Sequence, residues 1–275
     1  MWSLEKVEER KHYSPEETAC EIDFQCNTTR ERDGTFVVSL PFRELPAALG
    51  ASYKHALRRY LALKSKLNAN ETLRAGYNAT LMEYLEKGYL QKKEVDIKER
   101  SAYFIPHNAV YKPEKETSKI RIVLDASAKT TSGKSLNDIL FSGPNLQSKI
   151  FNLLINFRLF RVAISADIEK MFFSIKVAPE HRRFLRILYR FDESDPVRVF
   201  EFKRVPFGLA CLLHPPLASS TLSYMDDYLI SVQSSEEAIS VKTRLIDTLA
   251  GAGFNLTKWI SNSREFMSTI PSTHA

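Results

Sequence analysis

Three aspartates have the spacing expected of ligands for divalent metal ions. Asp167 follows the apolar run VAISA, and Asp226 and Asp227 are adjacent in YMDD, between two apolar stretches. Neighbouring residues on a regular strand point to opposite faces, so both address one point only where the chain turns. Converging carboxylates repel one another unless a cation lies between them, and hard oxygen ligands favour Mg²⁺. Two such ions about 3.5–4 Å apart support in-line phosphoryl transfer. The alternative is that YMDD is only a turn, because aspartate favours turns.

The segments around these aspartates predict helices interleaved with strands. Apolar residues at helical spacing predict helices over 52–68, 71–88 (with Asn70 as its cap), 132–140, 145–160 and 235–252. Residues rich in β-branched and aromatic side chains predict strands over 35–42, 102–111, 118–127, 162–168 and 253–259, and hairpins over 182–205 and 223–232. A short helical turn is expected over 169–174. Acidic residues at strand ends and in tight turns are where catalytic groups concentrate on such scaffolds.

The bulk composition narrows the class of protein. The 275 residues carry a net charge of +6. Residues 1–33 hold five basic and nine acidic side chains, so the remainder carries +10, which suits a polyanionic partner such as nucleic acid. The three cysteines form no CxxC pair, which argues against a zinc site or a disulfide scaffold. No apolar run or signal peptide predicts a membrane partner, so the cytoplasm, or the nucleus, is the expected compartment.

Several blocks, in order, resemble one family. They are SPEETACEIDF, YFIPHNAVYKPEKETSKIRIVLDASAKTTSGKSLNDIL, SGPNLQ, ADIEKMFFSI, HRRFLRILYR, VPFGLACLLHPP, YMDDYL and GFNLTKWISNS. Together they resemble the reverse transcriptase region of a BEL/Pao-class LTR retrotransposon polyprotein, over nearly the whole chain. The resemblance implies an α+β fold shaped like a right hand, with fingers and palm. An antiparallel palm sheet with packed helices is expected, with the thumb largely missing.

The resemblance also implies a division of the chain. Residues 1–50 are expected to be an acidic leader from an upstream polyprotein segment, residues 51–266 the fingers–palm domain, and residues 267–275 a truncated tail. Protease, RNase H and integrase segments are not expected in this chain. Only fifteen residues separate Gly208 from Tyr224, where the family carries a supporting palm helix. Pro215 and Pro216 rule out a continuous helix there, so an internal deletion or a mis-spliced gene is expected.

Site residues are implied in the same way. The implied catalytic residues are Asp167, Asp226, Asp227 and Lys258, the last as a proton donor to pyrophosphate. The implied metal ligands are Asp167, the Ile168 carbonyl, Asp226 and Asp227. The implied nucleotide contacts are Arg121, Lys119, Phe172, Phe207, Gly208 and Met225. Core packing is the alternative for the aromatic rings of Phe172, Phe173 and Trp259, and a solvated strand edge is the alternative for Lys112 and Lys119.

The implied function is RNA-directed DNA synthesis on an RNA or DNA template-primer with dNTPs and Mg²⁺. A phenylalanine at position 172 would lie beneath the sugar and disfavour a ribose 2′-OH. Two alternatives remain open. One is a decayed or repurposed remnant that binds nucleic acid without chemistry, and the other is a different palm-fold metal enzyme such as a nucleotide cyclase.

Overall fold

A computed structural model describes residues 13–95, 102–111, 120–144, 150–209, 223–224 and 226–271. The α-helices in these ranges are α1 (Pro15–Asn27), α2 (Tyr53–Asn68), α3 (Glu71–Glu86), α4 (Ile150–Arg158), α5 (Ser235–Ala250) and α6 (Arg264–Ser268). The strands are β1 (Thr29–Arg30), β2 (Phe36–Val38), β3 (Leu90–Lys93), β4 (His107–Tyr111), β5 (Ile120–Leu124), β6 (Val162–Ile168), β7 (Lys176–Val177), β8 (Arg186–Tyr189), β9 (Arg198–Phe202), β10 (Ser223–Tyr224), β11 (Asp227–Val232) and β12 (Leu256–Ser261). None of these helices is both long and apolar enough to cross a membrane.

Capping side chains set where several helices begin. Ser14 and Glu17 form a reciprocal capping box at the start of α1. The Asn70 side chain accepts a hydrogen bond from the Leu73 backbone N–H at 2.9 Å, as predicted for the start of α3. Ser234 caps α5 in the same way through the Glu237 N–H. Each cap satisfies a backbone donor that the helix itself leaves unpaired.

The largest sheet has four antiparallel strands in the order β10-β11-β6-β12. Strand β6 lies inside it and alternates between buried and half-buried residues, with Ile164, Ala166 and Ile168 in the core. Smaller sheets have the orders β3-β9-β8 and β1-β2-β7, and β4 pairs with β5 as a hairpin. Only β2 and β7 pair in parallel among the described strands. The predicted α+β class and its antiparallel sheets are confirmed.

One predicted helix is wrong. Residues 132–140 were expected to be helical, but only Asn137–Ile139 form a single 3-10 turn. The Asp138 carboxylate accepts a hydrogen bond from the Ser135 N–H at 2.7 Å and also pairs with Lys129. Such local side-chain bonds to the backbone compete with a regular helix. The other predicted helices and strands that fall in the described ranges are present, and most are shorter than predicted. Strand β6 has its predicted bounds, and β12 continues past Trp259 to Ser261. The start of the first hairpin strand is wrong, because residues 182–184 belong to a 3-10 helix (Pro179–Phe184).

Both chain segments outside residues 51–266 contribute to the packing. Phe36 and Val38 of β2 are buried, and β2 pairs with β7. Helix α6 crosses position 266, with Phe266 buried against Trp259 and Met267 packed against the core. The three-part division of the chain stays a prediction.

Helix α4 buries little of its apolar surface. Leu153 is buried and the helix packs on β11. Large apolar side chains of α4 and the residues that follow it are nevertheless exposed: Ile150, Phe151, Leu154, Ile155, Leu159 and Phe160. Phe151 is 69% exposed and Leu159 is 62% exposed. We call this exposed set the α4 apolar face.

Candidate active site

Backbone pairing brings the three aspartates to one end of the four-stranded sheet. Asp227 lies directly opposite Asp167 in the β11–β6 pair. The Ile168 N–H donates a hydrogen bond of 2.8 Å to the carbonyl oxygen of Asp226. Two segments separated by almost sixty residues in the sequence therefore meet through the main chain itself. We call this end of the sheet the carboxylate edge; it comprises Asp167, Asp226, Asp227 and Lys258.

The turn that the YMDD sequence required is present. Tyr224 pairs with Asp227 across the β10–β11 hairpin, which leaves a connection of two residues. Asp226 lies in that connection, and Met225 lies outside the described residues. A two-residue hairpin loop reverses the chain within one step of the ladder. The adjacent acidic residues thus do not have to point to opposite faces of a continuous strand.

The carboxylates influence one another electrostatically. The pKa of Asp227 is raised above its ordinary value, first because its carboxyl is partly removed from water, and then because Asp226 and Asp167 repel its negative form. The Lys258 ammonium acts on the pKa of Asp227 in the opposite direction. This mutual repulsion indicates a site that favours a bound cation.

Lys258 supplies a cation to this edge through an irregularity in β12. Between Thr257 and Ile260 strand β12 advances three residues, while β6 advances two, from Asp167 to Ser165. The extra residue makes a β-bulge, and Lys258 at its first position has a left-handed φ of 51°. In a regular strand Lys258 would point away from the face shared by Thr257 and Asp167. The bulge redirects its side chain, and Nζ donates a hydrogen bond to Asp167 Oδ2.

The chemistry of this donor set fits a hard divalent cation. Three carboxylates and the backbone oxygen of Ile168 are the kind of ligands that Mg²⁺ takes. Among the described residues, no three His, Cys, Asp or Glu side chains are already arranged around one metal position. Asp167 is instead turned onto Lys258, so a metal ion that takes Asp167 Oδ2 would have to displace the ammonium.

Phe172 and Phe207 contact each other beside a loop held by glycine. Their rings pack edge to face with centroids 5.1 Å apart. Phe207 is 48% exposed, whereas Phe173 is buried and stacks on Tyr89 at 5.0 Å. Phe173 therefore contributes to the core, while Phe172 keeps a partly accessible ring. This arrangement leaves the proposed contact between Phe172 and the sugar untested.

Gly208 fixes this loop against the β4–β5 hairpin. Its φ of 112° is in the range that favours glycine, and a methyl group there would collide with the Leu124 carbonyl oxygen. The Asn137 amide donates a 3.2 Å hydrogen bond to the Gly208 carbonyl. The loop and the end of β5 are thus joined by close backbone approach.

Arg121 lies on the exposed side of that hairpin, opposite Val110. The described contacts join its hairpin to Gly208, but they do not bring the Arg121 guanidinium to the aspartates. Lys119 and Lys112 lie outside the described residues, as do Pro215 and Pro216.

Two features of the site were missed by sequence reasoning. Thr257 is the direct strand partner of Asp167, and Lys258 needs a bulge to reach that aspartate. The signal was present as spacing: the buried residues Leu256 and Trp259 are three positions apart, whereas a regular strand spaces them by two. Trp259 is 2% exposed and packs against Phe266, so its ring belongs to the core.

Comparisons with known proteins identify the fold. No protein-family model matches the chain, and no curated protein sequence matches it. Solved structures of foamy viral protease-reverse transcriptase are similar at 17% identity over 68% of this chain. The complex with an RNA/DNA hybrid has a TM-score of 0.51, and the complex with dsDNA has a TM-score of 0.50. The match covers 24% of the first of those chains and 37% of the second, so the chain spans only part of their length. At this identity the likeness establishes a reverse transcriptase-like fold.

Proposed function

We propose that this chain is an RNA-directed DNA polymerase domain of a BEL/Pao-class retrotransposon. It would extend a primer on an RNA or DNA template with dNTPs. The observation that carries the proposal is the strand register that sets Asp227 opposite Asp167, with the Asp226 carbonyl bonded to the Ile168 N–H. That register collects three acidic residues at one edge of an antiparallel sheet, in a fold like that of reverse transcriptases.

The reaction is an in-line displacement. The primer 3′-OH gives its proton to solvent water and its oxygen attacks the α-phosphate of a dNTP. A new phosphodiester bond forms, and the bond to pyrophosphate breaks. Asp167, Asp226, Asp227 and the Ile168 carbonyl would hold Mg²⁺. When bound, Mg²⁺ activates the 3′-oxygen and neutralises charge that develops on the phosphate. The protein contributes mainly positioning and fixed charge.

Other residues would orient the nucleotide and the leaving group. Lys258, once separated from Asp167, would donate a proton to the departing pyrophosphate. The half-buried Phe172 would contact the sugar and disfavour a 2′-OH, and the loop at Phe207 and Gly208 would line the same pocket. The guanidinium of Arg121, together with Lys119, would bind the triphosphate, because its fork matches phosphate oxygens. Met225, between Tyr224 and Asp226, would face the nucleotide.

Primer extension tests the proposal directly. The full chain, incubated with a DNA primer on poly(rA), dTTP and Mg²⁺, should extend the primer. Asp226→Asn should lower the rate by about a thousandfold or more, because an amide is a much poorer ligand for a hard cation. Asp192→Asn changes an exposed turn aspartate between β8 and β9 and serves as the matched control. Equal extension by the wild type and Asp226→Asn, or none by either, would contradict the proposal.

A second candidate function is nucleic-acid binding without chemistry. The ion pair between Lys258 and Asp167 favours it, because an aspartate that keeps a lysine partner binds metal poorly. So does the short connection from Gly208 to Tyr224. This candidate predicts binding to an RNA/DNA hybrid that weakens steeply with salt and survives Asp167→Asn. A folded chain that binds no hybrid at low salt would reject it.

A further inference from the structure

Lys258 combines an unfavourable backbone conformation with an ion pair to a largely buried carboxylate. Its backbone is left-handed, a conformation that disfavours residues with a Cβ. Its ammonium also pairs with Asp167, whose side chain is only 18% exposed, although the lysine side chain itself is 62% exposed. Unfavourable backbone conformations persist where the surrounding structure holds them, and they cluster at functional sites.

The bulge places the ammonium at the carboxylate edge. Thr257 is opposite Asp167, and Lys258 is the inserted residue that follows it. The Trp259 ring, buried against Phe266, fixes the strand on the other side of the insertion. The backbone on both sides of Lys258 is therefore fixed, and this directs its side chain toward Asp167.

We propose that Lys258 is an internal placeholder cation, which holds Asp167 until a divalent metal ion displaces it. The inference rests on the proposed function, because it takes the carboxylate edge as the metal position. Asp167 Oδ2 exchanges a hydrogen bond from Nζ for a bond to the metal ion, and no proton or electron is transferred. The ammonium neutralises one of three crowded carboxylates before the exchange. After it, the ammonium is released toward solvent beside the bound ion.

The protein offers a matched comparison at Lys170. That residue is also left-handed, with a φ of 46°, and its ammonium also pairs with a carboxylate, that of Glu83 on α3. It lies three positions after Asp167 in the chain, but its partner is outside the carboxylate edge. Removing the Lys170 charge therefore tests the general effect of losing a nearby positive charge.

Metal binding without nucleic acid provides the test. Mn²⁺ is titrated into the full chain and the free ion is measured by electron paramagnetic resonance. Lys258→Met should bind Mn²⁺ about three- to tenfold more tightly than the wild type, the factor expected for releasing one partly buried ion pair. Glycine is compatible with the left-handed backbone, so Lys258→Gly should show the same gain in Mn²⁺ affinity. It keeps the test valid if the methionine variant does not fold.

Two further variants complete the experiment. Lys258→Arg keeps a positive charge that can pair with Asp167, and Lys170→Met keeps Lys258, so both should bind Mn²⁺ within about twofold of the wild type. Unchanged or weaker binding by Lys258→Met and Lys258→Gly would overturn the proposal, and so would an equal gain in Lys170→Met. Absence of Mn²⁺ binding in every variant would also overturn it, because there would be no ion to compete with.

The outcome is separable from that of the proposed function. A chain that binds Mn²⁺ more tightly as Lys258→Met, yet extends no primer, has the placeholder without the polymerase activity. A chain that extends primers while Lys258→Met and Lys258→Gly bind Mn²⁺ like the wild type has the activity without the placeholder.

Discussion

The carboxylate edge contrasts with a second, buried polar cluster. Between α2, α3, β4 and β8 lie Tyr60, Tyr77, His107 and Tyr189, each no more than 3% exposed. We call them the tyrosine cluster. His107 Nε2 donates to the Leu188 carbonyl at 2.9 Å, its Nδ1 accepts from the Tyr77 hydroxyl, and Tyr189 donates to Asn78 at 2.6 Å.

The two clusters differ in how their polar groups are satisfied. In the tyrosine cluster, neutral groups have hydrogen-bond partners inside the protein and are removed from water, which stabilises one arrangement. At the carboxylate edge, like charges lie together, Asp227 is exposed, and a lysine with an unfavourable backbone supplies the neutralising charge. The first arrangement suits a rigid support, and the second suits a site that exchanges ligands.

The largest expected effect tests where the stability resides. Leu81 on α3 is 1% exposed, whereas Phe151 in the α4 apolar face is 69% exposed. Leu81→Ala should lower the free energy of unfolding by about 2–5 kcal/mol, because it leaves a cavity in the core. Phe151→Ala should change it by less than about 0.5 kcal/mol. Urea unfolding measures both, and similar losses would remove the contrast between these regions.

Acid should weaken the tyrosine cluster through His107. Burial lowers the pKa of His107 to about 4 from its ordinary 6.5, so the unfolded chain binds the extra proton first. Stability therefore rises with pH between 4 and 6.5, and up to about 3 kcal/mol is lost on acidification through that window.

The measurement compares urea unfolding at both ends of the window. Other groups titrate there as well, so the informative quantity is the difference between the wild type and His107→Gln, which cannot titrate. The glutamine variant should lose less stability on acidification. Equal losses would show that His107 is not held neutral.

The smallest expected effect tests the close approach of Gly208 to the β4–β5 hairpin. Gly208→Ala should cost about 2–3 kcal/mol of unfolding free energy, since it combines a left-handed backbone with a collision at Leu124. Gly133 is also left-handed, with a φ of 80°, but a methyl group there meets open space. Gly133→Ala should therefore cost only about 1 kcal/mol. Thermal unfolding of the two variants separates the cost of backbone strain from the cost of the collision with Leu124. Equal losses of stability in the two variants would argue against the close approach of Gly208 to Leu124.

Local signals in the sequence predicted much of the fold. Asn70 before an amphipathic run predicted the start of α3, and the run from 182 to 205 predicted the β8–β9 hairpin, both of which are present. The YMDD turn was predicted because adjacent aspartates need a reversal to act together, and the β10–β11 pairing confirms it. These signals work because each depends on residues that are close together in the sequence.

Features set by distant contacts were harder to predict. The register that sets Asp227 opposite Asp167 depends on packing across the whole sheet, and no local pattern specifies it. The bulge at Lys258 depends on how Leu256 and Trp259 share the core. Residues 132–140 do not form the predicted helix, because the short-range bonds of Asp138 favour a turn. The sequence therefore indicated which aspartates come together, but not how the lysine reaches them.

The α4 apolar face has a practical consequence for work in solution. Contiguous apolar side chains exposed to water promote association between molecules as protein concentration rises. Purified preparations should therefore show a sedimentation profile that depends on concentration, and Phe151→Asp should keep the chain monomeric at higher loading. Assays of binding and turnover are best performed at low protein concentration or with this variant.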